Sequence, residues 1–172
     1  MHYVYSYDTP IGRILLSSNG TALTGLWLEG QKYFAQTMPK VYKEKSLPVF
    51  EETVRWLDDY FSGKIPDFMP ALAPEGTPFR RMVWDVLLTV PYGETITYGA
   101  IANTIAQHRG QERMSAQAVG GAVGHNPISI LIPCHRVIGA DGSLTGYAGG
   151  LDKKRWLLDF EQQHTHSLTI YG

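Results

Sequence analysis

The sequence predicts an α+β protein with two subdomains: a small antiparallel β-sheet and helix over residues 1–75, and a helical subdomain over residues 76–172. Three observations support this division. Strand patterns separated by turn motifs occupy residues 3–29, a connector containing Pro66, Pro70 and Pro74 follows, and capped helical patterns come after it. A chain of 172 residues is long enough for one domain of ordinary size, or for one domain and a small appendage.

The N-terminal subdomain is predicted to contain three strands, over residues 3–7, 13–18 and 21–29. Asn19-Gly20 is a strong hairpin motif, so we expect an antiparallel meander. The segment Ser46-Leu47-Pro48 is then predicted to open a helix that Gly63 ends. Four apolar residues at helical spacing predict its buried face: Phe50, Val54, Leu57 and Phe61.

Three capped helices are predicted after the connector. Thr77, Thr97 and Ser115 are their N-caps, and Gly124 ends the third. The second and third helices, joined by a polar turn over residues 108–113, form either a helix-turn-helix or an ordinary packed pair.

The third of these helices is unusually rich in small residues, namely Ala116, Ala118, Gly120, Gly121 and Ala122. Each glycine destabilises a helix by about 1 kcal/mol relative to alanine. Either close approach of a partner or tight packing within the domain would account for this composition.

A last helix is predicted to begin at an Asp152 cap. Its apolar residues Trp156, Leu157 and Phe160 are predicted to pack inward. Residues 162–172 are predicted to form an irregular tail.

Composition excludes several classes of protein. No apolar run approaches the roughly 20 residues that cross a bilayer, and the N-terminus lacks a secretory signal pattern. The single cysteine excludes an internal disulfide framework and a multi-cysteine zinc site, and we expect a cytoplasmic protein. The net charge of −1 gives no basic excess of the kind that usually accompanies nucleic-acid binding.

The one cysteine, Cys134, is the most promising chemical group in the chain. It follows an apolar run over residues 128–132, which predicts a buried strand ended by Pro133, and His135 comes directly after it. A cysteine next to a histidine is a candidate nucleophile, whereas a lone buried thiol is equally typical of a protein core. The spacing alone leaves both interpretations open.

The residues around Cys134 resemble the active-site block of a known family. The matching segments are NP at 126–127, IPCHRVIG at 132–139 and TGYAGG at 145–150. The family is the methylated-DNA–protein-cysteine methyltransferases (O6-alkylguanine-DNA alkyltransferases). The similarity extends from about residue 77 to residue 161, and more loosely over the N-terminal part. It implies a winged helix-turn-helix in the C-terminal subdomain and DNA repair by direct reversal.

The resemblance also implies a mechanism. The alkyl group of O6-alkylguanine, and also of O4-alkylthymine, in double-stranded DNA would move irreversibly to Cys134 after the damaged nucleotide leaves the stack. Glu161 would orient His135, which would activate the thiol through a water molecule. Tyr98 would donate toward N3 of the departing guanine, and Asn126 would tie the recognition helix to the active-site turn. No metal or cofactor is required, and a monomer is expected.

The residues implied for the alkylguanine pocket lie on either side of Cys134: Ser129, Val137, Thr145, Tyr147, Ala148 and Gly149. The Ala148 backbone N–H would lie near O6, and Thr145 would give one wall of the pocket some bulk.

The residues implied for DNA contact are Thr97, Tyr98, Arg113, Gln117, Ala118, Gly121 and Arg136. The third helix would enter the minor groove, where small residues allow close approach. Gln117 departs from the family pattern, because many members carry an arginine there that fills the gap left by the flipped base.

Two other functions use the same residues. An alkyltransferase-like protein would bind the lesion without transfer, but such relatives replace the cysteine that is present here as Cys134. A hydrolase using Cys134 and His135 would need an oxyanion hole, and no sequence feature identifies one.

Overall fold

A computed structural model describes the backbone of residues 1–171 and the side chains of residues 1–165. The chain divides into two compact units. The first contains residues 1–75 and 127–131, and the second contains residues 76–126 and the chain from residue 132 onward. Within the described residues, no helix has both the length and the apolar character needed to cross a membrane.

The first unit is built on a four-stranded sheet. The three predicted strands are present as β1 (His2–Thr9), β2 (Gly12–Ser18) and β3 (Leu23–Leu28), and they pair antiparallel in chain order. The predicted meander is therefore confirmed. A fourth strand, β4 (Tyr42–Glu44), pairs parallel with β1 at the sheet edge. The sequence did not predict it, because its three residues are all exposed and give no alternating pattern.

The helix of the first unit, α1, spans Pro48–Phe61 and begins at the last residue of the segment that was predicted to open it. Its predicted buried face is only partly correct, because Val54 and Phe61 are half-buried. Two large rings share the buried stripe instead, Trp56 and Tyr60, which stack with their centroids 5.4 Å apart. Burying them removes more apolar surface than burying Val54 would, which sets the rotation of the helix.

The second unit contains the remaining four α-helices that the structure describes. Thr77, Thr97 and Ser115 each accept a hydrogen bond from a backbone N–H in the first turn, which confirms the three predicted N-caps. The helices are α2 (Pro78–Leu87), α3 (Tyr98–Arg109), α4 (Ala116–Gly124) and α5 (Leu151–Tyr171). Two short strands, β5 (Ile96–Thr97) and β6 (Val137–Ile138), pair parallel. The predicted α+β class is confirmed.

The predictions for α5 need three corrections. The helix begins at Leu151, so Asp152 lies in its first turn and is not the N-cap. Trp156 is 36% exposed, whereas Leu157 is fully buried. The predicted tail is helical through Tyr171, because no glycine or proline interrupts the sequence from residue 151 until Gly172, which lies outside the described residues.

The apolar run before Cys134 is buried as predicted, but it is not a strand. Ile128 forms one isolated bridge with Leu26, and the Leu131 N–H then donates to the Ser129 carbonyl at 2.9 Å. Ile130 between them has φ of 71°, the left-handed region that β-branched residues rarely adopt. This hydrogen bond between residues two apart reverses the backbone and prevents a strand from continuing.

Candidate active site

The residues Cys134–Arg136 form a single 3₁₀ turn in the second unit, directly after Pro133. In a strand, consecutive side chains would point to opposite faces, but in a 3₁₀ turn each is rotated by about a third of a turn from the last. All three side chains are buried, and each therefore needs a partner within the protein.

Glu161, from α5, is the partner of two of these side chains. Its Oε2 accepts from His135 Nε2 at 2.6 Å and from Arg136 Nη2 at 3.1 Å. Its Oε1 accepts from Arg136 Nε at 2.8 Å and from the Gly93 N–H at 3.1 Å. With 1% of its surface exposed, Glu161 is a buried ion-pair partner and not a solvated carboxylate at a helix end. The structure thus brings together the predicted pair His135 and Glu161.

The charges in this cluster follow from these contacts. Burial alone would raise the pKa of Glu161, but His135 and the Arg136 guanidinium outweigh it and hold that pKa well below its usual range. Burial lowers the pKa of His135, although the Glu161 charge opposes the shift. We therefore assign an ionised Glu161 and a neutral His135 at neutral pH.

This assignment determines which nitrogen of the His135 imidazole carries the proton. An ionised carboxylate only accepts hydrogen bonds, so Nε2 of His135 must carry the proton that points at Glu161. Nδ1 then presents a lone pair, and among the described residues it has no hydrogen-bond partner. A buried, unprotonated ring nitrogen of this kind can accept a proton from a neighbouring nucleophile.

Cys134 is buried and directly precedes His135 in the chain. Burial raises the pKa of its thiol, while a hydrogen bond from Asn126 and the charge of Lys154 act in the opposite direction. The Asn126 amide also donates to the Ile132 carbonyl at 2.8 Å. Since Asn126 lies just beyond the end of α4, this bond forms the predicted link between that helix and the cysteine turn.

The loop after β6 is held by two donors from helices. Tyr98 Oη, at the start of α3, donates to the Thr145 carbonyl at 3.1 Å. Lys154 Nζ, from α5, donates to the carbonyls of Thr145 at 2.9 Å and Gly146 at 3.2 Å. Sequence reasoning missed Lys154, although it shares an i, i+3, i+7 stripe with the buried Leu157 and Glu161.

The other pocket residues occupy different environments. Val137 is fully buried, whereas Tyr147, Ala148 and Gly149 are half-buried in the loop. Ser129 is buried in the first unit, and its assignment to the pocket stays a prediction.

Most residues predicted to contact DNA are accessible. Arg113 and three residues of α4, Gln117, Ala118 and Gly121, are exposed, and Thr97 is half-buried as the cap of α3. A Cβ added at Gly121 would meet no atom within 4 Å, so packing does not require glycine there. Of the two explanations for the small residues of α4, this favours close approach of a partner.

The structure contradicts the role that was predicted for Arg136. Its side chain is 8% exposed, and the guanidinium donates to both oxygens of Glu161 and, through Nη1, to the Val90 carbonyl at 2.8 Å. The predicted contact with DNA is therefore wrong, because the guanidinium is inside the protein and committed to these acceptors.

Comparison with known proteins agrees with this geometry. Residues 78–163 match the family model "6-O-methylguanine DNA methyltransferase, DNA binding domain", and residues 1–73 match the "ribonuclease-like domain" of the same family. A methylated-DNA–protein-cysteine methyltransferase of Methanosarcina barkeri is 47% identical over 91% of this chain and 95% of its own length. One from Haemophilus influenzae is 42% identical over 94% of this chain and 87% of its own length.

A solved structure is similar over the same extent. The crystal structure of Mycobacterium tuberculosis OGT in complex with DNA has 42% sequence identity and a TM-score of 0.82, covering 94% of each chain. Both family models and these relatives together cover nearly the whole chain, so the chain belongs to the family of methylated-DNA–protein-cysteine methyltransferases.

Proposed function

We propose that this protein repairs DNA by moving the alkyl group of O6-alkylguanine to Sγ of its own Cys134, once per molecule. The observation that carries this proposal is the buried arrangement of Cys134, His135 and Glu161, in which Nδ1 of a neutral imidazole is left as an acceptor. A base of this kind, next to the only thiol of the chain, is what a single-use cysteine acceptor requires.

The reaction is a displacement at the alkyl carbon. Cys134 loses its proton through a bridging water to Nδ1 of His135, and the resulting imidazolium is stabilised by Glu161. The thiolate forms the S–C bond while the C–O6 bond breaks, and guanine leaves with that electron pair. Tyr98 donates toward N3 and stabilises the charge on the departing base. A thioether is not readily reversed, which makes the transfer stoichiometric.

The substrate must enter as a flipped nucleotide, because O6 of a stacked guanine lies on the major-groove edge and cannot be reached from the minor groove. We assign the exposed face of α4 to the minor groove of double-stranded DNA, with Gln117 in the gap left by the base. The pocket residues of the second unit are those of the loop after β6, together with Val137. O4-alkylthymine is a second substrate of this chemistry, and a monomer acting in the cytoplasm is sufficient for it.

The two units take different roles in this proposal. Every side chain assigned to proton transfer lies in the second unit, within residues 76–172. The first subdomain, residues 1–75, contains no comparable cluster of chemical groups in our assignment and has a structural role.

Mass spectrometry tests this function directly. After incubation with duplex DNA containing O6-methylguanine, we expect one added methyl group, located on the peptide that contains Cys134. The Cys134→Ser variant should remain unmodified. Binding of the lesion without modification of the wild-type protein would support the binding-only alternative, and repeated turnover of one protein molecule would support the hydrolase.

A further inference from the structure

The turn between α2 and β5, residues 91–94, is held by α5 through both backbone groups of one glycine. We call it the Gly93 turn. It is a type II β-turn, closed by a hydrogen bond of 3.1 Å between its first carbonyl and its last N–H, and Gly93 has φ of 81°. The Gly93 N–H donates to Oε1 of Glu161 at 3.1 Å, and the Gly93 carbonyl accepts from Nε2 of Gln162 at 2.6 Å. Two consecutive side chains of α5 thus hold one residue of the turn.

The Gly93 turn approaches α5 closely enough to require glycine. A Cβ added at Gly93 would overlap the side chain of Thr165 on α5, and residues other than glycine rarely adopt this φ. Arg136 holds the same stretch of backbone, because its Nη1 donates to the Val90 carbonyl at 2.8 Å and its guanidinium lies over the Tyr92 ring, 5.7 Å from the centroid. The turn therefore cannot shift without disturbing its contacts with α5 or with Arg136.

The Gly93 turn leads directly into the start of α3. Three residues separate it from Tyr98, and two of them form β5, which pairs with β6 immediately after the cysteine turn. Because an extended strand has no slack along its length, a shift of the turn is passed on to Thr97, the N-cap of α3, and to Tyr98 after it. In the proposed reaction Tyr98 donates toward N3 of the departing base, so its position affects the transition state.

Among these contacts, the hydrogen bond from Gln162 is the one that folding needs least. The Gln162 side chain is exposed, so water can replace it as the partner of the Gly93 carbonyl. Ordering a glutamine side chain loses rotamer freedom, which offsets much of what one exposed hydrogen bond contributes to stability. The main effect of this bond is therefore on the position of the turn.

We propose that Gln162 is a positioning residue of the alkyl transfer, which holds the Gly93 turn and thereby fixes the place of Tyr98 at the start of α3. This inference rests on the function proposed above. It assigns to α5 two separate contributions to one reaction: Glu161 orients the base, and Gln162 acts on the residue that stabilises the leaving group.

The main test is single-turnover methyl transfer at saturating DNA by Gln162→Leu, which removes the amide donor at similar side-chain volume. We expect the rate to fall about five- to tenfold, because misplacing a group that acts in the transition state slows the reaction. The affinity for unmodified duplex and the denaturant midpoint of unfolding should stay close to the wild-type values. Gln162→Lys retains an N–H donor and should restore most of the rate. Gln36→Leu, the same change at an exposed position of the first unit, should leave the rate unchanged.

A double-mutant cycle with Tyr98→Phe tests whether Gln162 acts through the tyrosine. Tyr98→Phe removes the hydroxyl that stabilises the leaving group, so Gln162→Leu should slow that protein by less than about twofold. Equal slowing in both backgrounds would overturn the proposal. The pH dependence of transfer should keep its wild-type shape, because the pair of His135 and Glu161 remains. A shifted pH profile would indicate an effect on the base and would also overturn the proposal.

Amide hydrogen exchange of the free protein gives a readout that needs no DNA. The Gly93 and Glu94 amides both donate hydrogen bonds, and we expect them to exchange about tenfold faster in Gln162→Leu than in wild type. Unchanged exchange would overturn the proposal. Gln162→Ala takes the place of the leucine variant in every comparison if that variant does not fold. Wild-type protein in which these amides are protected, but which accepts no methyl group, would contradict the proposed function alone.

Discussion

Two regions of the second unit differ in how they use polar residues. The buried charge cluster, defined as His135, Arg136 and Glu161, joins its members to one another inside the protein. The exposed face of α4, defined as Gln117, Ala118 and Gly121, has small or uncharged side chains in contact with solvent. The chemistry is thus assigned to a region whose charged side chains are paired inside the protein. DNA recognition is assigned to a helix face whose side chains are exposed to solvent.

The difference determines what a substitution can reveal. Removing one member of the buried charge cluster leaves the others buried with fewer hydrogen-bond partners, which affects folding as well as reaction. Changing the exposed face of α4 removes no internal contact of comparable strength, so its effects should be confined to DNA binding. Four predictions test this separation.

The largest effect is expected for Glu161→Gln. A carboxylate can only accept a hydrogen bond, whereas a glutamine amide can also donate one. In the variant, the proton of His135 is therefore no longer held on Nε2, and Nδ1 is no longer kept free to act as the base. We expect single-turnover methyl transfer to slow by about 10²- to 10⁴-fold. The affinity for unmodified duplex DNA, measured in parallel, should change little, and equal transfer rates would contradict the role of Glu161.

The next effect concerns stability and compares two arginines. Arg136→Met leaves the Glu161 carboxylate buried with fewer donors, and we expect the free energy of unfolding to fall by about 3–5 kcal/mol. Arg113→Met, at an exposed position, should change it by less than about 0.5 kcal/mol. Denaturant unfolding measures the free energy of unfolding of both variants. The affinity for DNA should show the opposite order, because we expect it to fall in Arg113→Met.

The same cluster predicts a loss of stability in acid. The pKa of His135 is lowered in the folded protein, so protonation favours the unfolded chain once the pH falls below the ordinary value of 6.5. The pKa of Glu161 is also lowered, so its contribution is present above the ordinary value of 4.5 and is lost as the pH falls further.

Unfolding measured between pH 8 and pH 4 should therefore show a first decline below about pH 6.5 and a second below about pH 4.5. Glu161→Gln should remove the second decline. Stability that is constant over this range would mean that His135 is not buried in its neutral form.

The sequence predicted local features of the fold better than features that depend on distant partners. The caps Thr97 and Ser115 were correct, because each is decided by a side chain and a backbone N–H three residues away. The turn at Ile130 was missed, because an apolar run gives the same sequence pattern whether its backbone is extended or turns back.

The candidate site shows the same limit. The pairing of His135 with Glu161 was expected only through the resemblance to a family, since 26 residues separate them. Arg136 was assigned to DNA and Lys154 was overlooked, because a basic residue is ordinarily exposed. Their partners, a carboxylate on α5 and two loop carbonyls, are brought to them only by the fold.

The smallest effect is expected on the exposed face of α4. Gln117→Arg adds a charge where the helix is assigned to the groove, so DNA affinity should rise several-fold at low salt and its logarithmic salt dependence should steepen by about 0.9. Gln36→Arg adds the same charge at an exposed position of the first unit and controls for net charge. Titrations of labelled duplex at three salt concentrations measure both variants.

If the two variants bind alike, added charge acts only through the net charge of the protein, and position 117 does not face the duplex. If only Gln117→Arg gains affinity while its methyl-transfer rate at saturating DNA stays at the wild-type value, recognition and chemistry are separable, as the comparison of the two regions requires.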